Sequence, residues 1–231
     1  MINNSIKVNY TVHDTHVGDV LYNILSRYDP IACDFETATI YTQKAKEIAK
    51  TRKKYLKNNW EAIRECDFII NANGLSNVHV VRPTHLSVAW SEKDAVVFIL
   101  TKSYGSIHIL CDLLVDTKVK QIWHNASYDF SFIYYFTHKY PPNFEDTKLL
   151  VKCLTSNVKT YKYPVGLKEL EGNYYGKWAI AKEDFTQDNS YNNDLLKYSA
   201  TDACATYHLY QRILEELNSE SNRLITSKKT V

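Results

Sequence analysis

The chain has 231 residues, enough to bury a substantial core without disulfide or metal staples, and its 45% hydrophobic and 23% charged residues exclude a disordered or collagen-like polymer. Its 28 basic and 26 acidic residues nearly cancel, so a nucleic-acid partner has to be gripped by a local basic patch rather than by an overall field. The 5 cysteines are scattered without C-x-x-C spacing, residues 1–9 are polar where an export signal is apolar, and the longest apolar runs, such as 95–100, are too short to span a bilayer. These features exclude a zinc or disulfide framework, export and membrane insertion, and place the chain in a reducing cytoplasm.

Apolar spacing predicts a short strand over 6–12, then a helix over 16–27 with Val17, Val20, Leu21 and Ile24 on one face, before Asp29-Pro30 breaks the chain. A buried strand follows over 31–35, and 85–90 with 95–100 form a hairpin that turns through the polar residues 91–94. Residues 106–114 have helical spacing, 119–123 are strand-like, and 127–140 form an aromatic-rich helix ended by Pro141-Pro142. Helices over 149–154 and 167–175 precede the longest periodic run, 193–217, in which Leu196, Tyr207, Tyr210, Leu214 and Leu217 recur at helical spacing. With no internal repeat and no Gly/Ser linker, 1–231 reads as a single α/β domain whose last residues, 219–231, form a flexible tail.

The segment 41–83 stands apart as a basic helical insertion after the strand over 31–35. Lys44, Lys46, Lys50, Arg52, Lys53, Lys54 and Lys57 surround an apolar stripe of Ala45, Ile48, Ala49, Tyr55 and Leu56. Such a helix either grips a phosphate backbone or is the solvated face of an ordinary packed helix.

Three carboxylate motifs follow one another. Alternation along a strand points Asp34 and Glu36 to the same side. Two carboxylates so placed are either splayed into solvent or held by a cation, and hard oxygen donors favour Mg²⁺ or Mn²⁺ over zinc. Asn125 and Asp129 sit where the strand 119–123 hands over to a helix, the end of an α/β sheet at which ligands bind. The plainer alternative is that Asn125 or Ser127 caps that helix and Asp129 complements its dipole. Tyr198 and Asp202, four residues apart, share one face of the long C-terminal helix.

In this order and on these elements, D-x-E, N-x-x-x-D and Y-x-x-x-D resemble the DEDD 3′-to-5′ exonucleases of the tyrosine subclass. The runs His124-Asn125-Ala126-Ser127-Tyr128-Asp129, Asp146-Thr147-Lys148-Leu149-Leu150 and Gly166-Leu167-Lys168-Glu169-Leu170 are similar to the proofreading domain of family A, polymerase I-like, DNA polymerases. The resemblance implies a ribonuclease H-like mixed sheet flanked by helices. It implies two divalent metal ions, Mg²⁺ or Mn²⁺, held by Asp34, Glu36, Asp129 and Asp202, with Tyr198 orienting the attacking water and Glu36 serving both metal and water. Asn125, Tyr128 and Ile40 match positions that line the terminal nucleotide, and Tyr128, Tyr174, Tyr175 and Trp178 are candidates for stacking unpaired bases. The implied reaction releases nucleoside 5′-monophosphates from a single-stranded or frayed DNA 3′ end.

Three features depart from that family. No polymerase module follows the last helix, which implies a free-standing nuclease, a partner of a separate DNA polymerase, or an excised domain. The insertion over 41–83 is long, and Phe35 stands where a small polar residue is common, although its side chain should face away from the metals. An RNase D-like exoribonuclease shares the carboxylates and the tyrosine, and differs in how the 2′-hydroxyl is received. A non-catalytic docking module would be expected to have lost a carboxylate, and here all of them are present.

Overall fold

Strand alternation sorts the side chains of the central strands onto two faces, and helices cover both. The computed structural model describes residues 7–39, 69–70, 80–101, 104–155, 166–175 and 190–228. In chain order they form β1 (Asn9–His13), α1 (Val17–Leu25), β2 (Ile31–Thr39), β3 (Ile69–Ile70), β4 (Val80–Ala89), β5 (Asp94–Ile99), α2 (Tyr104–Asp116), β6 (Gln121–Trp123), α3 (Ala126–Thr137), β7 (Phe144–Asp146), α4 (Thr147–Thr155), α5 (Leu167–Tyr175) and α6 (Asn193–Lys228). The sheet runs β1-β5-β4-β2-β6-β7, with β3 added to β4. It is mixed: β4 is antiparallel to β5 and β2, whereas β1 pairs with β5, and β6 with β2 and β7, in parallel.

Ile31, Cys33 and Phe35 of β2 join Leu86, Val88, Val96 and Phe98 against α1, α2 and α3. Ala32, Ala89, Val97 and Ile99 face the other way, toward Val151, Leu167 and the α6 residues Leu196, Ala200, Ala203 and Cys204. Each fully buried apolar side chain contributes about 1.5–3 kcal/mol, so Trp123, Phe35, Phe98 and Phe132, all fully buried, anchor the first layer. The second layer is built from smaller side chains: Ala200, Ala203, Cys204 and Ala205 are fully buried and let α6 lie close on the sheet.

Most predicted elements are present, with instructive differences. β2 continues to Thr39, so Glu36 lies inside the strand rather than past its end. The aromatic helix stops at Thr137, ahead of the prolines, because His138 adopts a left-handed conformation, φ 56°, and its N–H returns to the Tyr134 carbonyl at 2.9 Å. The short strand β7 was not predicted. Helix α6 runs on to Lys228, beyond the periodic run that ends at Leu217. The basic helix proposed within 41–83 lies outside the described residues, but β3 and the first residues of β4 are strand, so the insertion does not reach residue 83.

Candidate active site

Asp34 and Glu36 leave β2 on the face that carries Ala32, the side covered by α6, while Phe35 turns to the opposite layer and packs on Trp123 and Phe132 at centroid distances of 6.1 and 5.9 Å. The expectation for Phe35 therefore holds. Opposite Glu36 the ladder is irregular: Glu36 pairs with His85 and Thr37 with Pro83, which leaves Thr84 as an extra residue in β4. A bulge of this kind re-aims neighbouring side chains and tolerates a proline. The Thr84 hydroxyl donates to the Glu36 carbonyl at 3.1 Å, and His85 Nδ1 lies 3.1 Å from the same hydroxyl. His85 Nε2 is 2.8 Å from the Ser190 carbonyl, so that nitrogen carries the proton, and burial keeps the ring neutral by lowering its pKa below 6.5.

Asp129 arrives from the first turn of α3. Strand β6 pairs with Ile31 and Ala32 of β2, and among the described residues no strand lies beside the β2 edge beyond them. There the Phe35 N–H donates to Asp129 Oδ1 at 3.0 Å, within a buried environment. Asp129 thus grips β2 between Asp34 and Glu36. Beside it the Tyr128 hydroxyl is 2.7 Å from the Thr37 hydroxyl.

The helix cap that local rules suggested is not the one used. Asn125 takes a left-handed conformation, φ 67°, and makes no side-chain cap. Asp146, at the end of β7, supplies the acceptors instead: Oδ1 receives the Asn125 and Lys148 N–H groups at 3.0 and 2.9 Å, and Oδ2 receives the Ala126 N–H at 3.0 Å. The Asn125 side chain is left to accept from Lys148 Nζ at 2.9 Å.

Tyr198 and Asp202 share the α6 face that meets β2. One carboxylate oxygen each from Asp34, Glu36 and Asp202 lie within 4.8 Å of one another. Glu36 and Asp202 are buried, and Coulomb's law at an effective dielectric of about 20 gives about 3.5 kcal/mol or more of repulsion per ionised pair at such a separation. A group of hard oxygen donors without imidazole or thiolate fits a divalent cation, which would relieve that repulsion. The Tyr198 phenol is held far above its ordinary pKa of 10.0, first by burial and then by Asp202, Glu36 and Asp34, so it stays protonated. Its hydroxyl accepts a hydrogen bond from Lys168 Nζ, which also stands 4.2 Å from the ring centroid.

The structure therefore brings Asp34, Glu36, Asp202 and Tyr198 together, and sets Asp129 against the β2 backbone beside them. Asn125 and Tyr128 border the same end of the sheet. Ile40 and Trp178 lie outside the described residues, as do the side chains of Tyr174 and Tyr175. Sequence reasoning missed the supporting roles of Thr84, His85, Asp146 and Lys168; only the Asp146 and Lys168 runs had been singled out, for resemblance alone. A surface cavity of about 440 Å³ between the β4–β5 turn and α6, lined by Glu92, His208 and Arg212 among others, contains none of the motif residues. No helix among the described residues is long and apolar enough to cross a membrane.

Residues 74–218 match the 3′-5′ exonuclease family of the DNA polymerase A type. That stretch holds Asn125, Asp129, Tyr198 and Asp202, and the sheet joins the upstream Asp34 and Glu36 to it. No curated protein matches the sequence. Among solved structures, the chain is similar to Brucella melitensis NrnC with bound Mg²⁺, at 16% identity over 94% of this chain and 84% of that one, with a TM-score of 0.54. It is also similar to the catalytic core of RRP6 from Trypanosoma brucei, at 14% identity over 89% and 46% of the two chains with a TM-score of 0.60. Escherichia coli RNase D, an exoribonuclease involved in structured RNA processing, gives 12% identity over 96% and 50% with a TM-score of 0.54. These likenesses establish a ribonuclease H-like fold, as the motifs led one to expect. With a family match over more than half of its length and the carboxylate cluster assembled between β2 and α6, the chain belongs to the 3′-5′ exonuclease family, a family of hydrolases.

Proposed function

We propose that the protein is a metal-dependent 3′-to-5′ exonuclease that removes nucleoside 5′-monophosphates from single-stranded or frayed DNA 3′ ends. The observation that carries this reading is the convergence of Asp34, Glu36 and Asp202 within 4.8 Å, with the Tyr198 hydroxyl among them. Asp34, Glu36 and Asp202, with Asp129 beside them, hold two Mg²⁺ or Mn²⁺ ions. When bound, such a pair lowers the pKa of a water and stabilises charge on the attacking and leaving oxygens of an in-line displacement.

The chain's own residues do the positioning. Tyr198, kept protonated, donates to the attacking water and with Glu36 aligns it with the phosphorus; a positioned group of this kind works without ionising. Tyr128 and Asn125 line the terminal nucleotide, Tyr128 offering a ring for stacking and Asn125 an amide whose orientation Lys148 fixes. The polymerase-type signatures at Asp146 and Gly166 support DNA as substrate. A second reading, RNA as substrate, is supported by the likeness to RNase D, an exoribonuclease.

Digestion of 5′-labelled DNA and RNA single strands of one sequence tests both, with Mg²⁺, Mn²⁺ or chelator. A ladder shortening from the 3′ end of DNA, dependent on metal and lost in Asp34→Ala, is expected. A ladder on RNA alone transfers the protein to the second reading, and no cleavage of either overturns both in favour of a docking module.

A further inference from the structure

The sequence runs around Asp146 and Gly166 each bring a lysine to the site, and the reaction as derived above leaves the charge of both unused. Lys148 is the second residue of α4 and Lys168 the second residue of α5. A cation in the first turn opposes the helix dipole, so neither helix accounts for its own lysine. Each ammonium is turned instead to a motif residue. Lys148 Nζ donates to Asn125 Oδ1 at 2.9 Å, and Lys168 Nζ donates to the Tyr198 hydroxyl and stands 4.2 Å from the centroid of that ring.

Both partners are neutral. Lys93, Lys120 and Lys139 stand 3.4–3.7 Å from a carboxylate oxygen, whereas among the described residues neither Lys148 nor Lys168 forms an ion pair. An ammonium has three donors, and each of these contacts uses one. The half-buried Lys148 and the exposed Lys168 therefore keep donors and a charge for an anion, beside a centre whose carboxylates repel one. A strand of nucleic acid brings a phosphate with every nucleotide, and an ammonium is a compact point charge that takes a phosphate oxygen without demanding a bidentate geometry. We propose that Lys148 and Lys168 are substrate-contact residues that hold backbone phosphates of the strand, the scissile one and those next to it, against the carboxylate centre. This rests on the reading of the site as one for a nucleic-acid strand, and it assigns the two lysines to the substrate rather than to Asn125 and Tyr198 alone.

The test measures binding of 5′-fluorescein-labelled DNA and RNA single strands in chelator by fluorescence anisotropy, across a KCl series, for wild type, Lys148→Gln, Lys168→Gln and the double variant. Each contact with a single-strand phosphate gives log K a slope of about −0.7 against log salt. Each single variant should therefore flatten the slope by about 0.7 and the double variant by about 1.4, with affinity at low salt down about tenfold per lysine. Lys148→Arg and Lys168→Arg keep the charge and should keep the slope, and Lys139→Gln, which removes a lysine paired with Asp116, should leave it unchanged. Slopes are read on variants whose circular dichroism matches wild type, and Lys148→Met and Lys168→Met replace a Gln variant that does not fold. Gln variants with the wild-type slope overturn the proposal even where cleavage slows, because the lysines then act through Asn125 and Tyr198. An equal flattening in the Arg variants or in Lys139→Gln overturns it as well. The expected slopes in a protein that cleaves neither strand uphold the phosphate contacts and overturn the hydrolytic reading alone, whereas a wild type that binds neither strand overturns both.

Discussion

Asp146 sits outside the carboxylate motifs, and yet the geometry makes it the residue on which the placement of Asp129 depends. Its two oxygens accept three backbone N–H groups, those of Asn125, Ala126 and Lys148, at 2.9–3.0 Å, and its side chain is only 8% exposed. Asp146→Ala leaves these donors without their acceptor. The Ala126 N–H belongs to a residue only 3% exposed, and a buried orphan donor costs about 1–3 kcal/mol. Asn125 is half-buried, so water can rehydrate its N–H and the loss there is closer to that of an ordinary cap, about 0.5–2 kcal/mol. The sum is about 3 kcal/mol, equivalent to a fall of roughly 6–12 °C in Tm for a domain of this size. Asp146→Asn keeps one oxygen for Asn125 and Lys148 but turns an amide NH₂ toward the Ala126 N–H, and should cost about half as much. Urea denaturation followed by circular dichroism reads both variants. Single-turnover hydrolysis well below the melting range should fall in parallel, because Asp129 lies in the first turn of the loosened helix. An Ala variant within about 0.5 kcal/mol of wild type, or an Asn variant as damaged as the Ala one, would refute this account of the cap.

Mn²⁺ at about 100 times its Kd should stabilise the fold by about 2.7 kcal/mol, raising Tm by roughly 5–11 °C; Asp202→Asn should lose most of that shift, and a wild type whose Tm ignores Mn²⁺ would remove the metal from the site. His85 is neutral in the fold with a lowered pKa, while in the unfolded chain it protonates below about 6.5, so stability is lost as pH falls from 6.5 toward the native value. The stability advantage of wild type over His85→Asn should accordingly shrink between about pH 8 and about pH 5 in urea titrations, and an advantage that grew over that interval would contradict a buried neutral ring. If the basic segment grips backbone, replacing Lys50, Lys53 and Lys54 with Gln should flatten the log–log dependence of binding on salt by about 2–3 units; an unchanged slope makes those lysines an ordinary solvated face.

What was legible in the sequence is what chemistry and periodicity dictate locally. A period of two is independent of tertiary context, so the shared side of Asp34 and Glu36 and the opposite burial of Phe35 could be read before any fold was known. The same holds for Tyr198 and Asp202 on one helical face. Where a local rule competed with a distant partner, the distant partner won: Asn125 looked like a cap, but Asp146, 21 residues away, took the N–H groups. The Lys168–Tyr198 contact joins residues 30 apart on two helices, and no periodicity within either helix announces it. Strand β7, three residues at the sheet edge with Phe144 exposed, carries too little alternation to be seen, although it is the element that delivers Asp146.

The deeper reason the site lies where it does is a mismatch of strand lengths. β2 has nine residues and its parallel neighbour β6 has three, so among the described residues one edge of β2 beyond Ala32 has no strand beside it. An open edge normally demands protection, and here the start of α3 fills it, with Asp129 taking the Phe35 N–H. On the face of the sheet, the row of small residues on α6 lets that helix approach until Asp202 meets Asp34 and Glu36. Two separate packing solutions, one at the edge and one on the face, thus deliver acidic groups to the same three residues of β2. Their mutual repulsion is a cost that packing alone leaves uncompensated, and a cation bound among them would reverse its sign. The strand mismatch is thus the structural feature that brings the start of α3, and with it Asp129, to the edge of β2 beside the other acidic groups.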